Sequence, residues 1–181
     1  MIKVKYYYSD GTTSSSLNAS KILHREDGPA TEYSDGYKEW YLNGRRHCES
    51  GPAIDSVIGH REWWLYGKVH REDGHAVEHA DGSKEWYQYG AKHREDGPAI
   101  EWASGGKGWY IRGTLHREDG PAVERANGDR LWYLDGKFLH SLTKKYLIKY
   151  MELRNLTVVH LLTDNDKMVR TSAAKYKWKK K

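Results

Sequence analysis

The sequence contains few of the features that mark secreted, membrane-spanning or disulfide-stabilised proteins. Only one of its 181 residues is a cysteine, Cys48, so no intrachain disulfide can form, and this favours a reducing compartment. No apolar run approaches the ~18 residues that a membrane-spanning helix needs. The first five residues lead into tyrosines rather than into the apolar core of a secretory signal. These absences predict a cytoplasmic, soluble protein that does not bind membranes.

Apolar residues are also scarce. Hydrophobic residues make up 38% of the chain, below the ~45–50% of an ordinary globular domain. There is a single phenylalanine, yet there are eight tryptophans and fourteen tyrosines. Tryptophan and tyrosine bury a large apolar area while keeping a polar tip near water. The composition therefore predicts a thin structure with few fully enclosed positions.

What the chain has in abundance is one repeated heptapeptide, His-Arg-Glu-Asp-Gly-Pro-Ala. It is complete at residues 24–30, 93–99 and 116–122, and altered copies occupy residues 47–53 and 70–76. The leading histidines stand at 24, 47, 70, 93 and 116, so the period is 23 residues every time. A fixed period of this length, repeated five times, is the signature of a repeat array.

Each repeat contains two strand-and-turn signals. A short strand follows the heptapeptide and leads, in three of the five repeats, to an Asp-Gly or Asn-Gly pair, dipeptides that favour type I′ hairpin turns. A second strand carries Trp-Tyr or Trp-Trp, and a second turn ends in glycine before the next histidine. The pattern predicts a mainly β protein, an elongated antiparallel meander of tandem hairpins.

The predicted turn type fixes a strand register. A two-residue turn at Asn127 and Gly128 places Val123 opposite Trp132 and, in another repeat, Glu78 opposite Glu85. Like charges facing each other cost roughly 0.2–1 kcal/mol, less than burial of a tryptophan contributes. We therefore expect buried tryptophans and solvated glutamates. A slip by one residue would pair Glu78 with Lys84 but expose every tryptophan.

Three segments are expected along the chain. Residues 1–23 read as a degenerate half-repeat that caps the array, because a terminal repeat has a neighbour on one side only. Residues 24–140 hold the five repeats and would be about 50 Å long at ~4.8 Å per strand. Residues 141–181 lack glycine and carry eleven Lys/Arg against three Asp/Glu. They predict a small basic α-helical region, with a first helix near residues 142–154.

The spacing of Trp-Tyr-x-x-Gly-x-x-His, with an Asp-Gly turn upstream, resembles MORN-type repeats. The sequence is most similar to the HREDGPA-type, MORN-like arrays of bacteriophages, giant viruses and some bacteria, over residues 24–140. This resemblance implies scaffolding or protein contact, in a host cytoplasm if the source is viral, and implies no catalytic residue. The heptapeptide loop replaces the shorter loop of ordinary MORN repeats, so their lipid binding is not carried over. Residues 161–174 are similar to the turn and second helix of a HEAT repeat.

The heptapeptide itself combines residue types that suit acid–base catalysis or metal binding. However, it recurs, whereas an active site is needed only once. We therefore expect a structural role, in which Asp27 and its equivalents bond nearby backbone amides. Each histidine would bond the adjoining repeat, and Arg-Glu pairs would form a ladder along the stack. No metal site and no cofactor are predicted, and a metal-binding histidine array is kept as a third hypothesis.

Departures from the repeat are the better candidates for function. The candidate partner-binding residues depart from the repeat or stand at its variable positions: Cys48, Ser50, His60, Tyr66, His75, Tyr89 and Trp102. Tyr66 and Tyr89 occupy a hairpin tip that holds Asn, Arg or Asp elsewhere, and tyrosines are common in interface hot spots. The alternative is neutral drift or packing on a neighbouring loop. Cys48 lacks any assignable base or oxyanion element, so no enzyme activity is predicted.

The basic C-terminal tail supports a second hypothesis. Its candidate nucleic-acid-binding residues are Lys167, Arg170, Lys175, Lys177, Trp178, Lys179, Lys180 and Lys181. Basic residues interleaved with aromatic ones suit phosphate contact and base stacking, although a terminal lysine run is as often a solvated end. The leading prediction is a non-enzymatic protein-binding module that blocks a partner, such as a host protein, by steric occlusion. The alternative is a nucleic-acid-associated protein.

Overall fold

The computed structural model describes residues 2–138, which form 22 short β-strands and no helix. Twelve strands form one antiparallel sheet, in the spatial order β2 (Thr13–Ser14), β1 (Val4–Tyr7), β3 (Thr31–Tyr33), β4 (Lys38–Glu39), β7 (Ile54–Asp55), β8 (Arg61–Glu62), β11 (Val77–Glu78), β12 (Lys84–Glu85), β15 (Ile100–Glu101), β16 (Lys107–Gly108), β19 (Val123–Glu124) and β20 (Arg130–Leu131). The other ten pair as five two-stranded ribbons: β5 (Tyr41–Leu42) with β6 (Arg45–Arg46), β9 (Trp64–Leu65) with β10 (Lys68–Val69), β13 (Tyr87–Gln88) with β14 (Ala91–Lys92), β17 (Tyr110–Ile111) with β18 (Thr114–Leu115), and β21 (Tyr133–Leu134) with β22 (Lys137–Phe138).

The predicted antiparallel hairpin meander is confirmed for this part of the chain. Each repeat gives two strands to the main sheet and then closes a separate ribbon with its second hairpin. Neighbouring ribbons are joined by backbone hydrogen bonds, as where Gly90 donates to the Val69 carbonyl at 2.8 Å and Arg71 donates to the Tyr87 carbonyl at 3.3 Å. The second hairpins therefore form a row of their own alongside the sheet.

The prediction of a type I′ turn at the Asp-Gly and Asn-Gly pairs was wrong. Gly128 has φ 89°, but Asn127 is not among the residues with positive φ, whereas a type I′ turn needs both. The Gly128 amide donates to the Arg125 carbonyl, and the Arg125 amide to the Asp129 carbonyl. This is a three-residue loop, a type I turn followed by a glycine bulge. The Asn127 side chain favours it by accepting the Asp129 amide at 3.0 Å.

The type I′ turns occur instead at the ribbon tips. Leu42 pairs with Arg45, which leaves two residues in the loop, and both Asn43 and Gly44 have positive φ. Asparagine tolerates this left-handed conformation better than other non-glycine residues. The same position is filled by Tyr66, Tyr89, Arg112 and Asp135 in the later repeats, all with φ between 46° and 50°.

The extra loop residue shifts the register by one, so the predicted register was also wrong. Glu78 pairs with Lys84, and Glu85 pairs with Val77. The shift places charged residues of alternating sign in a row on one face of the main sheet, one from each of its strands except β2: Lys5, Glu32, Lys38, Asp55, Arg61, Glu78, Lys84, Glu101, Lys107, Glu124 and Arg130. Cross-strand opposite charges are each worth roughly 0.2–1 kcal/mol. This ladder explains why the like-charge pair is avoided.

The glutamates on the other face had been expected to be solvated. They lie instead between the sheet and the ribbons. Their row alternates with Ile54, Val77 and Ile100, which are buried. The Glu39 side chain is 12% exposed and accepts from Arg46 at 2.8 Å. The Glu85 side chain is 16% exposed and accepts from the Tyr87 hydroxyl at 2.8 Å. Each buried carboxylate is thus satisfied by a ribbon residue.

Three tryptophans, Trp63, Trp86 and Trp109, are half-buried in the shifted register, and an arginine covers each of them. Arg94 lies over the Trp86 ring, with its guanidinium carbon 4.2 Å from the ring centroid, and Arg117 covers Trp109 at 3.9 Å. A guanidinium stacks favourably on an indole face. The heptapeptide arginine therefore shields the tryptophan ring from solvent, a role that apolar side chains had been expected to fill.

The N-terminal segment continues the sheet, because β1 pairs with β3 on one side and with β2 on the other. The predicted C-terminal helices and the HEAT-like stretch at residues 161–174 lie outside the described residues. Within residues 2–138, no helix is long and apolar enough to cross a membrane.

Candidate functional site

The histidine of each heptapeptide bonds the tip of the ribbon that follows it, as expected, and from His47 onwards this contact joins two neighbouring ribbons. Its ring Nδ1 accepts the backbone amide of the residue at the tip of the next ribbon. The pairs are His24 with Asn43 (3.0 Å), His47 with Tyr66 (3.2 Å), His70 with Tyr89 (3.2 Å), His93 with Arg112 (3.1 Å) and His116 with Asp135 (3.2 Å). This contact satisfies a backbone donor that a type I′ tip leaves open. The histidines are therefore structural joints.

The arginine and aspartate of the heptapeptide form a clamp within one loop. Arg94 Nε donates to Asp96 at 2.9 Å, and its Nη1 donates to the Pro98 carbonyl at 3.3 Å and to Glu101 at 3.4 Å. The expected Arg-Glu ladder between repeats is wrong, because these bonds remain inside one repeat. The arginine hydrogen bond, more than the expected backbone amides, holds the pKa of Asp96 below its usual value.

Tyr66 and Tyr89 stand at the tips of two adjacent ribbons. Tyr66 is 58% exposed and Tyr89 62% exposed. Each ring stacks on the histidine of the preceding joint, His47 or His70, with ring centroids 4.3 Å apart. One face of each tyrosine is thus supported from within the array, and the other faces solvent.

Cys48 and Ser50 lie in the loop that follows His47, so the stacking of His47 on Tyr66 brings this loop next to a tyrosine tip. The Cys48 Sγ atom is 3.8 Å from the Ser50 Oγ atom. These two residues replace the arginine and aspartate of the clamp. The second repeat therefore has no clamp in its loop.

His75 replaces the proline of the heptapeptide and packs between two tryptophans. Its ring meets Trp63 and Trp86 edge-on, at centroid distances of 5.9 and 5.7 Å. Burial lowers the pKa of His75, while Glu78 opposes this and Lys84 and Arg71 add to it. His75 is consequently a packing residue in the array.

We expect the change His75→Pro to reduce the amount by which the free energy of unfolding falls between about pH 7 and pH 5. A folded-state pKa below the unfolded value of about 6.5 means that His75 favours the folded state above that pH. This contribution is lost as the pH falls towards the folded-state pKa. Urea unfolding at pH 7, 6 and 5 measures it, with His93→Ala as a control that leaves His75 in place. An identical pH slope in His75→Pro and in the wild type would contradict the assignment.

His60 and Trp102 belong to the main sheet rather than to the tyrosine tips. His60 Nε2 lies 2.9 Å from Glu62, and its ring is 5.5 Å from that of His79. Trp102 is 38% exposed and lies over two glycines: a Cβ atom at Gly106 would stand 3.0 Å from the indole. The structure does not bring these two residues together with Tyr66 and Tyr89.

No group of three or more His, Cys, Asp or Glu side chains within residues 2–138 is arranged to hold a metal ion. The hypothesis of a metal-binding histidine array thus lacks a ligand set in this part of the chain. The residues of the nucleic-acid hypothesis, from Lys167 to Lys181, lie outside the described residues.

One exposed apolar pair lies within the 48–60 segment but was not named among the candidate residues. Val57 and Ile58, at the tip of the hairpin between β7 and β8, are 65% and 70% exposed. The signal was present in the sequence, since the equivalent tips carry Asp35 or Asp81. Val57 also leaves no room for a side chain at Gly36 in the neighbouring hairpin, because a Cβ atom there would stand 2.6 Å from Val57 Cγ1.

Comparison with known proteins adds no family to this description. No family model matches the chain, and a search of curated proteins finds no match.

Proposed function

We propose that the protein is a non-enzymatic binding module built from MORN-like repeats, which contacts a partner protein through the row of ribbon tips. The observation that best supports this is the pair of exposed tyrosines at Tyr66 and Tyr89. Both hold a left-handed backbone conformation, with φ of 48° and 50°. A bulky residue adopts this conformation at a cost of order 1–3 kcal/mol. An asparagine, such as Asn43 at the equivalent position of the first ribbon, avoids most of this conformational cost.

The geometry of the tips suits a protein surface better than a small molecule. Successive repeats are about 10 Å apart, because each adds two strands to the sheet at ~4.8 Å per strand. Tyr66 and Tyr89 therefore present two parallel aromatic anchors on one edge. The histidines behind them limit their rotation, so less side-chain entropy is lost on binding. A flat edge with rigid aromatic anchors is typical of an interface hot spot.

The mode of action follows from this shape. An array about 50 Å long that binds through one edge covers a partner and excludes other ligands from it. The resemblance to phage and virus arrays supports a host protein as the target, with steric occlusion as the mechanism.

The double variant Tyr66→Asn/Tyr89→Asn tests this proposal. We expect partner capture to fall by at least about 30-fold, because loss of one hot-spot aromatic costs ~2 kcal/mol or more. The fold should be retained, because asparagine suits both tips. The measurement is affinity purification with quantitative mass spectrometry, comparing proteins enriched by the wild type and the variant.

Arg112→Asn is the matched control, since it changes an exposed tip of the same geometry that carries no tyrosine. It should leave capture unchanged. If the tyrosine double variant melts like the wild type and captures the same proteins equally well, the proposed contact edge is wrong.

A further inference from the structure

In three repeats, the arginine of the heptapeptide covers the tryptophan that precedes it by eight residues. The pairs are Trp63 with Arg71 (4.3 Å), Trp86 with Arg94 (4.2 Å) and Trp109 with Arg117 (3.9 Å). The corresponding pair is Trp40 of the first repeat with Cys48 of the second. Within residues 2–138, no cation lies over the Trp40 ring. The Trp40 indole of the first repeat therefore has no arginine over it, unlike the equivalent indoles of the next three repeats.

The backbone around this face is the same as in the covered repeats. The Trp40 amide donates to the Ala53 carbonyl at 2.8 Å, as the Trp86 amide donates to the Ala99 carbonyl at 2.8 Å. The Cys48 amide donates to the Trp64 carbonyl at 3.1 Å, the distance found between Arg94 and the Tyr110 carbonyl. The change is thus confined to side chains. The space that a guanidinium fills elsewhere is bounded here in the same way.

The groove beside Trp40 is also acidic. It has a volume of about 490 Å³, and its lining includes Trp40, Cys48 and the carboxylates Glu26, Asp27 and Glu49. Arg25 lines it as well, but its guanidinium binds Asp27 and Glu32 at 2.8 and 2.9 Å and lies over Tyr7. Arg25 is therefore committed elsewhere. Asp27 is paired with Arg25, whereas Glu26 and Glu49 have only the nitrogens of His24 and His47 near them, at 3.7 and 3.5 Å. Carboxylates without a lysine or arginine partner, beside an aromatic face, attract a cation.

We propose that this groove binds an arginine side chain of the partner protein, whose guanidinium stacks on Trp40 as Arg94 stacks on Trp86. The inference rests on the proposed function and adds the chemistry of one partner residue. The Pro52 carbonyl follows Cys48 by four residues, as the Pro98 carbonyl that Arg94 binds follows Arg94. A planar guanidinium can stack and donate to this carbonyl together, which a lysine ammonium does not do. Tyr66 lies beside the groove through its stacking on His47.

Cys48 provides a direct probe, because it is the only cysteine of the chain. The rate of its alkylation by iodoacetamide is measured with the capped peptides acetyl-Gly-Arg-Gly-amide and acetyl-Gly-Lys-Gly-amide. We expect the saturating arginine peptide to slow alkylation at least about five-fold, and the lysine peptide to give less than half of that protection. The change Trp40→Leu should abolish the difference. Equal protection by both peptides, or none, would overturn the inference.

A second variant covers the case in which Trp40→Leu does not fold. Cys48→Arg/Ser50→Asp restores the clamp of the other repeats, so its own arginine should cover the Trp40 ring, as Arg94 covers Trp86 in an equivalent groove of about 730 Å³. We expect a higher melting temperature than that of Cys48→Ala/Ser50→Asp, and no response of the tryptophan fluorescence to the arginine peptide. Retained peptide binding in this variant would refute an arginine site at Trp40.

The two proposals fail separately. The peptide experiments need no partner, so they test the groove even if nothing is captured by the tyrosine tips. If the tyrosine double variant loses capture while Cys48→Arg/Ser50→Asp captures normally, the binding edge stands and the arginine site is wrong. If peptide protection is observed but capture is unaffected by the tyrosine changes, the edge is wrong and the groove stands alone.

Discussion

Replacement of Arg94 by alanine is expected to lower the free energy of unfolding by about 2–3 kcal/mol. The change removes the stacking on Trp86, worth roughly 0.5–1 kcal/mol at a partly exposed site. It also removes hydrogen bonds to Asp96, the Pro98 carbonyl and Glu101, of which the bond to the part-buried carbonyl contributes roughly 0.5–1.5 kcal/mol. The Arg94 side chain is 23% exposed, so solvent weakens part of this. Urea unfolding at neutral pH measures the difference.

Two controls separate the clamp from a general effect of charge. Arg94→Lys keeps the charge but lacks the planar fork, and it should recover less than half of the loss. Arg112→Ala removes an exposed arginine at a ribbon tip and should change stability by no more than about 0.5 kcal/mol. If Arg94→Ala unfolds at the same urea concentration as Arg112→Ala, the clamp does not stabilise the array.

The period, the strand positions and the histidine joints could be predicted because they depend on local spacing. A 23-residue repeat returns each histidine to an equivalent place, and the Nδ1 contact with the next tip confirms the joint. The division into one sheet and a row of ribbons was not predicted. The change from sheet to ribbon occurs at the tryptophan. Its backbone amide donates to the start of the next sheet strand, while its carbonyl accepts a hydrogen bond from the amide of the next heptapeptide histidine.

The register was mispredicted because the turn type was read from a dipeptide alone. Asp35, Asp81 and Asn127 favour type I′ turns in two-residue loops, but their side chains bond the amide two residues later and stabilise a longer loop. Cross-strand charge would have corrected this, since the shifted register pairs Glu78 with Lys84 instead of Glu85. The expected penalty of this register, exposed tryptophans, is reduced because an arginine of the following heptapeptide covers the rings of Trp63, Trp86 and Trp109. That contact joins residues eight positions apart, on either side of the ribbon, so the sequence of one sheet hairpin does not reveal it.

The candidate site, like the fold, could be predicted only in part. Tyr66 and Tyr89 were identified as departures from a repeat, and the structure places both on one edge. Trp102 and His60 were chosen on the same basis, but they belong to the sheet, where neighbours such as Gly106 and His79 account for them. A departure shows that a position is unusual. Only the neighbouring repeat shows whether the change is compensated within the array.

Deletion of one whole repeat, residues 93–115, is expected to leave a folded array. The deletion joins Lys92 to His116, and residues 116–122 have the same sequence as residues 93–99. Lys84 then meets Glu124 in place of Glu101, and Trp86 is covered by Arg117 in place of Arg94. Stability of a repeat array is approximately a sum over units and their interfaces. At roughly 0.05–0.15 kcal/mol per residue, the loss should be about 1–3 kcal/mol.

Deletion of residues 93–103 removes fewer residues but should be far more damaging. It eliminates β15 together with the joint and the clamp, so β16 has no antiparallel partner on that side and Trp86 loses its cover. The free energy of unfolding should fall at least about twice as far as for the whole-repeat deletion, with loss of a single cooperative transition. Thermal unfolding followed by circular dichroism compares the two. A whole-repeat deletion that unfolds as readily as the half-repeat deletion would show that the repeats are not interchangeable, and that the joint requires its own neighbours rather than any copy of them.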